Sequence, residues 1–169
     1  LSTAMAAIGN NVLLVDADPQ GNASTGLGIS EKLRTPSLYD LITNQEFDED
    51  AIKKTEIPNL NIITSSRDLA ASEIELVEMK DRENILKKIL SKLQGYDFIF
   101  IDCPPALGLL TINSLVAAKS VIIPLQCEFF ALEGLSALTS TIDTIKSGLN
   151  SNIDLEGVVL TMYDKRNSL

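Results

Sequence analysis

Hydrophobic and polar positions divide the chain into segments of two kinds. The aliphatic run "VLLVD" (12–16) is typical of a strand buried on both faces, and "LNIITSS", "YDFIFIDCPP", "SVIIPL" and "LEGVVLT" predict further strands. Helical spacing of apolar residues predicts helices at "LSTAMAAI", near 37–42 and 48–55, and at "DRENILKKILSKLQG", "LLTINSLVAAK" and "ALEGLSALTSTIDTIKSG". Strands alternating with helices indicate an α/β fold, a doubly wound and mostly parallel sheet with helices on both faces. With no internal repeat and no linker, we expect one domain over residues 1–169.

Acidic side chains stand where two of these strands end. Asp16 and Asp18 are two residues apart, so in extended backbone their carboxylates point the same way, and Asp102 ends the run "FIFID". Ligands of open α/β sheets bind at the carboxyl ends of the strands. Three carboxylates at one sheet edge repel one another unless a cation lies among them. Aspartates also cap turns, but the string "DADPQGN" is more particular than a capping loop requires.

Composition excludes several classes of function. The chain has no histidine, which excludes Ser-His-Asp and Cys-His catalysis. Its net charge of −9 argues against a uniformly basic face for nucleic acid, although a local basic patch is compatible with it. No apolar run reaches the roughly 18 residues that a membrane span needs.

Four stretches together carry a resemblance to a known family. They are "VLLVDADPQGNASTGLG", "YDFIFIDCPPALGLLTINSL", "PLQCEFFALEGLSAL" and "GVVLTMYDKR", in that order. The sequence resembles the ParA/Soj family of chromosome and plasmid partitioning ATPases, which have a deviant Walker A motif and belong to the MinD/ParA superfamily. The resemblance implies a P-loop NTPase-like fold with ATP and Mg²⁺ as cofactors. It also implies that the chain starts just after the phosphate loop, without the N-terminal strand, so we expect this fragment to be inactive as an ATPase.

The resemblance assigns roles to individual acidic residues. Asp18 matches the switch I aspartate that helps position the attacking water, and is the predicted catalytic residue. Asp16 matches the Walker A′ aspartate and Asp102 the Walker B aspartate, and both are predicted to hold Mg²⁺. The segment Cys103–Gly108 matches switch II, which senses the γ-phosphate. Gly108 is predicted to take part in nucleotide binding and to allow the segment to bend.

Two further assignments concern the end of the chain. Thr161, Met162 and Tyr163 lie near where the family holds adenine. Arg166 lies in a region where related proteins place an arginine that contacts DNA. A solvated loop arginine is the alternative for Arg166.

The function implied by the resemblance is an ATP-dependent dimerising switch. We expect a homodimer that binds DNA nonspecifically, hydrolyses ATP when stimulated by a ParB/Spo0J-like partner protein, and acts in the cytoplasm at the nucleoid without a membrane. One alternative is a truncated interaction module of the same fold that does not hydrolyse ATP. Another is a MinD-like ATPase that associates with a membrane.

Overall fold

The computed structural model describes residues 1–126 and 131–163 and, for residues 131–133, the backbone alone. Its helices are α1 (Ser2–Ala7), α2 (Asn22–Gly26), α3 (Leu38–Asn44), α4 (Leu69–Glu78), α5 (Ile85–Leu90), α6 (Leu109–Ala117) and α7 (Ala131–Gly148). Its strands are β1 (Val12–Asp16), β2 (Ile52–Lys54), β3 (Leu60–Ile63), β4 (Phe98–Asp102), β5 (Ser120–Gln126) and β6 (Asp154–Thr161). The chain divides into two compact units, Leu1–Ser114 and Leu115–Leu169.

The first unit is built on a four-stranded sheet in the order β2-β3-β1-β4. Strand β1 runs parallel to both β3 and β4, and the short β2 runs antiparallel to β3. This mixed α/β architecture with a mostly parallel sheet confirms the predicted fold class. Because neighbouring parallel strands end at the same edge, the register also aligns Asp16 with Asp102.

The core of the first unit lies on both sides of β1. Val12 packs with Ala6 of α1 and Leu60 of β3. Side chains alternate along a strand, so Leu13 and Val15 point to the opposite face, and both are fully buried. Each such side chain contributes about 1.5–3 kcal/mol when removed from water. The buried sheet thereby fixes the position of the polar residues that follow β1.

The helix predicted near 48–55 is wrong. A single 3₁₀ turn, Glu49–Ala51, is followed by strand β2. The Asp48 carboxylate accepts a hydrogen bond from the Asp50 amide at 2.9 Å, which favours a tight turn over a longer helix. Pairing with β3 then makes the next three residues extended.

Two other helical segments differ from the sequence-based expectation. The helix predicted from residue 81 begins at Ile85, after a 3₁₀ turn at Arg82–Asn84, and Asp81 has a left-handed backbone (φ 52°). The pattern did not predict helix α4. This helix has no acidic residue in its first turn and no basic residue in its last turn, so no charged side chain in either turn complements the helix dipole. Its burial of Leu69, Ser72 and Leu76 shows that tertiary packing stabilises it.

The second unit contains a parallel pair, β5 and β6, and the long helix α7. The register joins Gln126 to Thr161 at the carboxyl ends of the pair. The buried Asn150 side chain donates to the carbonyls of Leu115 and Ala118 at 3.0 and 2.7 Å and so ties the turn after α7 to the end of α6. None of the described helices is both long and apolar enough to cross a lipid bilayer.

Candidate active site

Three aspartates meet at the carboxyl edge of the first unit's sheet. Asp16 and Asp102 are the last residues of β1 and β4 and are paired in register. The next amide, that of Ala17, donates to the Asp102 carbonyl at 2.8 Å, so the backbones stay paired one residue beyond β1. Asp18 follows immediately. The structure therefore brings together the three acidic residues that the sequence singled out.

The Asp16 carboxylate is fully buried and held by Ser24. Its Oδ2 accepts hydrogen bonds from the Ser24 amide at 2.7 Å and from the Ser24 hydroxyl at 2.6 Å. The same hydroxyl oxygen accepts from the Ser65 amide at 3.1 Å, beyond β3. Asp16 thus organises the polar loop after β1 and ties it to the end of β3.

Asp18 is half-buried and shapes the turn that carries it. Its Oδ1 accepts from the Gln20 amide at 3.0 Å, and its carbonyl accepts from the Gly21 amide at 2.9 Å. A carboxylate that accepts a local amide in this way forms an Asx turn. One of its oxygens remains available to a ligand as far as the described residues are concerned.

The charges of the cluster interact unfavourably. Burial raises the pKa of Asp16, and the hydrogen bonds from Ser24 oppose that rise. The pKa of Asp102 is raised first by partial desolvation, although the residue is accessible to solvent, and then by the neighbouring charges of Asp16 and Asp18. Such a cluster favours either protonation or a bound cation.

The donor set fits a magnesium ion that arrives with phosphates. Within residues 1–126 and 131–163, nothing donates a hydrogen bond to the accessible Asp102 carboxylate, whereas Asp16 is enclosed by Ser24. No group of three or more His, Cys, Asp or Glu side chains among these residues is arranged to hold a metal by itself. Mg²⁺ needs no such cage, because it is usually bound by one or two carboxylates together with water and substrate phosphates.

Arg34, which sequence reasoning missed, supports the loop after Asp18. It is 7% exposed, and it donates to the Ile29 carbonyl from Nε at 3.1 Å and to the Thr25 hydroxyl from Nη2 at 2.8 Å. Gly21 has a left-handed backbone (φ 63°), and a Cβ there would lie 2.6 Å from Arg34 Nη1. A lone arginine in a polar loop gave no sign of this contact in the sequence.

Gly108 ends the segment Cys103–Gly108, and its backbone is not in the left-handed region. A Cβ at this position would instead approach the carboxylate of Glu73 on α4, with 2.5 Å to Oε1. A glycine at this position therefore leaves space for the Glu73 carboxylate. At the other end of the segment, burial raises the pKa of the Cys103 thiol.

Three of the remaining predicted residues belong to the second unit. Thr161 ends β6 in the second unit and is half-buried, and Met162 (φ 53°) and Tyr163 follow it with 83% and 61% exposure. The Gln126 amide lies 3.6 Å from the Met162 sulfur. Arg166 lies outside the described residues.

Comparisons with known proteins identify the family. Residues 1–155 match AAA_31, described as an AAA domain. The sporulation initiation inhibitor protein Soj of Bacillus subtilis is 49% identical over 170 residues, covering 100% of this chain and 67% of that protein. This chain belongs to the ParA/Soj family. The chromosome partitioning protein ParA of Caulobacter vibrioides is also 49% identical, over 172 residues. The chain covers 64% of that ParA/Soj relative's length.

Solved structures support the fold of the chain. Cobyrinic acid a,c-diamide synthase from Mycobacterium smegmatis, with bound ADP and magnesium, has a TM-score of 0.92 and 36% identity, covering 98% of this chain and 68% of that one. A putative plasmid partition protein from Borrelia burgdorferi, bound to AMPPNP, has a TM-score of 0.80 and 25% identity, covering 98% and 69%. The fold is therefore that of ParA-like ATPases.

Proposed function

We propose that the protein is an ATP-dependent partitioning switch of the ParA/Soj type. ATP with Mg²⁺ promotes a homodimer that binds DNA nonspecifically, and a ParB-like partner stimulates hydrolysis and release, in the cytoplasm at the nucleoid. The observation that carries the proposal is the register of Asp16 with Asp102, which places two strand-terminal carboxylates beside Asp18. The names of the partitioning relatives support the biological role.

Each aspartate has a distinct role in this proposal. Asp102, which is accessible, holds Mg²⁺ directly or through water, and the bound ion supplies neutralisation of phosphate charge. Asp16 is a ligand only if its bonds to Ser24 rearrange, and otherwise it keeps the loop in place. Asp18 orients the attacking water with its available oxygen. Phosphoryl transfer requires this kind of positioning and charge neutralisation more than covalent chemistry.

The adenine and DNA contacts are proposed for the end of the chain. Thr161 is the last residue of a strand in a parallel pair, and Met162 and Tyr163 follow it, which is the usual location for ligand contacts in such sheets. A chain with net charge −9 is repelled by DNA at long range, so binding must depend on a few cations that dimerisation gathers on one face. We assign Arg166 to this group.

Salt-dependent DNA binding tests the proposed role. In the complete gene product with a nonhydrolysable ATP analogue, Arg166→Ala should lower DNA affinity and reduce the slope of log affinity against log salt by about 0.9 for each lost phosphate contact. Lys119→Ala is the matched control, because Lys119 is exposed but precedes β5 at the amino end of the strand pair. Equal slopes for wild type and Arg166→Ala would leave Arg166 as a solvated loop residue.

The name of the M. smegmatis protein supports a second candidate, ATP-dependent amide formation on cobyrinic acid. The two candidates differ in what accelerates ATP turnover. The partitioning role predicts stimulation by DNA and a ParB-like protein. Stimulation by cobyrinic acid with an amide nitrogen donor, and none by DNA, would favour the second candidate.

A further inference from the structure

Glu73 of α4 caps the first turn of α6 from a distance of 36 residues in sequence. Its Oε2 accepts from the Leu109 amide at 2.7 Å, and its Oε1 accepts from the Leu110 amide at 3.1 Å. The first amides of a helix have no partner within the helix, and a negative charge there also interacts favourably with the helix dipole. The first turn of α6 contains no acidic residue of its own, so Glu73 supplies what the local sequence lacks.

The position before α6 is adapted to this contact. A helix usually begins with a side chain that accepts from its first amides, but Gly108 has no side chain. A Cβ on Gly108 would lie 2.5, 2.7 and 2.8 Å from Oε1, Oε2 and Cδ of Glu73. The glycine therefore gives the distant carboxylate room to reach the helix end.

The body of α6 is fixed independently of Glu73. The Asn113 side chain is buried, donates to the Arg82 carbonyl at 2.9 Å and accepts from the Leu86 amide at 3.1 Å. These bonds hold the middle of α6 against the start of α5. Removing the Glu73 carboxylate should consequently loosen the first turn and leave the helix folded.

We infer that Glu73 is a positioning residue for the nucleotide-sensing segment Cys103–Gly108. The segment follows Asp102, the last residue of β4, and precedes Leu109, the first residue of α6, whose amide is bound by Glu73. Any rearrangement of the segment is therefore confined between a strand end and a fixed helix start. The effect on hydrolysis rests on the proposed ATPase function. The contact between the Glu73 carboxylate and the Leu109 and Leu110 amides, which we call the clamp, rests on the two hydrogen bonds alone.

Hydrogen exchange and kinetics in the complete gene product test the inference. In Glu73→Ala, the Leu109 and Leu110 amides should exchange about tenfold faster, as expected for the loss of a helix cap. Glu73→Gln retains one acceptor oxygen and should give a smaller change in the same direction. The matched control is Glu75→Gln, two residues away on the same helix, which should leave exchange at these two amides unchanged.

The kinetic readout separates positioning from a general loss of stability. In Glu73→Ala we expect kcat for ATP to fall about fivefold with KM changed less than twofold, while Glu75→Gln retains the wild-type kcat. Unchanged exchange at Leu109 and Leu110, or an unchanged kcat in Glu73→Ala, would overturn the inference. A wild-type protein that hydrolyses no ATP would reject the proposed function instead, and the exchange result would still decide whether the clamp exists.

A double-mutant cycle adds a test that does not depend on ATP. Gly108→Ala should increase the exchange rate at Leu109 and Leu110 because the methyl group displaces the Glu73 carboxylate. In the Glu73→Ala background the same substitution should change the rate by less than twofold, because the carboxylate is already absent. Additive effects of the two substitutions would contradict the contact.

Discussion

The hydroxyl of Ser24 donates a 2.6 Å hydrogen bond to the carboxylate of Asp16, and both residues are fully buried. Asp16 ends a strand and Ser24 lies in the helix that follows the acidic loop, so this bond closes the loop on itself. Among the described ion pairs none involves Asp16. The buried charge is consequently held by neutral donors, and the loss of one of them should lower the free energy of unfolding.

Ser24→Ala should lower the free energy of unfolding by about 2–4 kcal/mol. The substitution leaves the Asp16 carboxylate short of one donor and the Ser65 amide without its acceptor, and an unsatisfied buried group costs about 1–3 kcal/mol. Urea denaturation measures the change. Ser91→Ala, at an exposed site, is the control and should stay within about 0.5 kcal/mol of wild type. A similar decrease in the free energy of unfolding in both variants would show that the Ser24 hydrogen bonds contribute no more to stability than those of an exposed serine.

Gly21→Ala should destabilise the protein, whereas Gly26→Ala should not. Gly21 combines a positive φ with a Cβ position 2.6 Å from the buried Arg34 guanidinium, so alanine should cost about 2–3 kcal/mol. Gly26 lies in α2 with no heavy atom within 4 Å of its Cβ position, and alanine there should be neutral or stabilising by up to about 1 kcal/mol. Thermal unfolding of the two variants provides the comparison, and equal melting temperatures would contradict it.

The charge on Asp102 should destabilise the wild-type protein as pH rises above the ordinary aspartate pKa of 3.8, and Asp102→Asn should remove this effect. The folded-state pKa of Asp102 is raised, so the native state binds more protons than the unfolded state between 3.8 and the folded value. Stability therefore falls as pH increases through that window. Because Asp102 is accessible to solvent, the expected gain for the variant at pH 7 is at most about 1 kcal/mol.

Unfolding in metal-free buffer at pH 3.5 and pH 7 checks this prediction. The gain for Asp102→Asn should be present at pH 7 and shrink at pH 3.5. Glu56→Gln offers a control carboxylate that is exposed and precedes β3, at the end of the sheet opposite the Asp102 cluster. A variant that is less stable than wild type at pH 7 would show that the Asp102 charge is not destabilising.

The strands and the acidic edge could be predicted from sequence because both depend on local pattern. The run 12–15 is aliphatic, and the alignment of Asp16 with Asp102 follows once neighbouring parallel strands end together. The residues that hold the loops and helices of the site in place could not be predicted from local pattern. Glu73 acts on a helix 36 residues further along the chain, and Arg34 folds back on the loop that precedes it without any pattern that marks the contact. Strand β2 forms because β3 is available to pair with it.

ATP binding and hydrolysis by Asp18→Ala test the central claim most directly. The measurement is made on the complete gene product in the presence of Mg²⁺, DNA and a ParB-like partner, with isothermal titration for binding and phosphate release for hydrolysis. We expect the variant to bind ATP with an affinity near that of wild type and to hydrolyse it about 10²–10⁴-fold more slowly, because Asp18 orients the attacking water. Equal rates of phosphate release by wild type and Asp18→Ala would contradict the account.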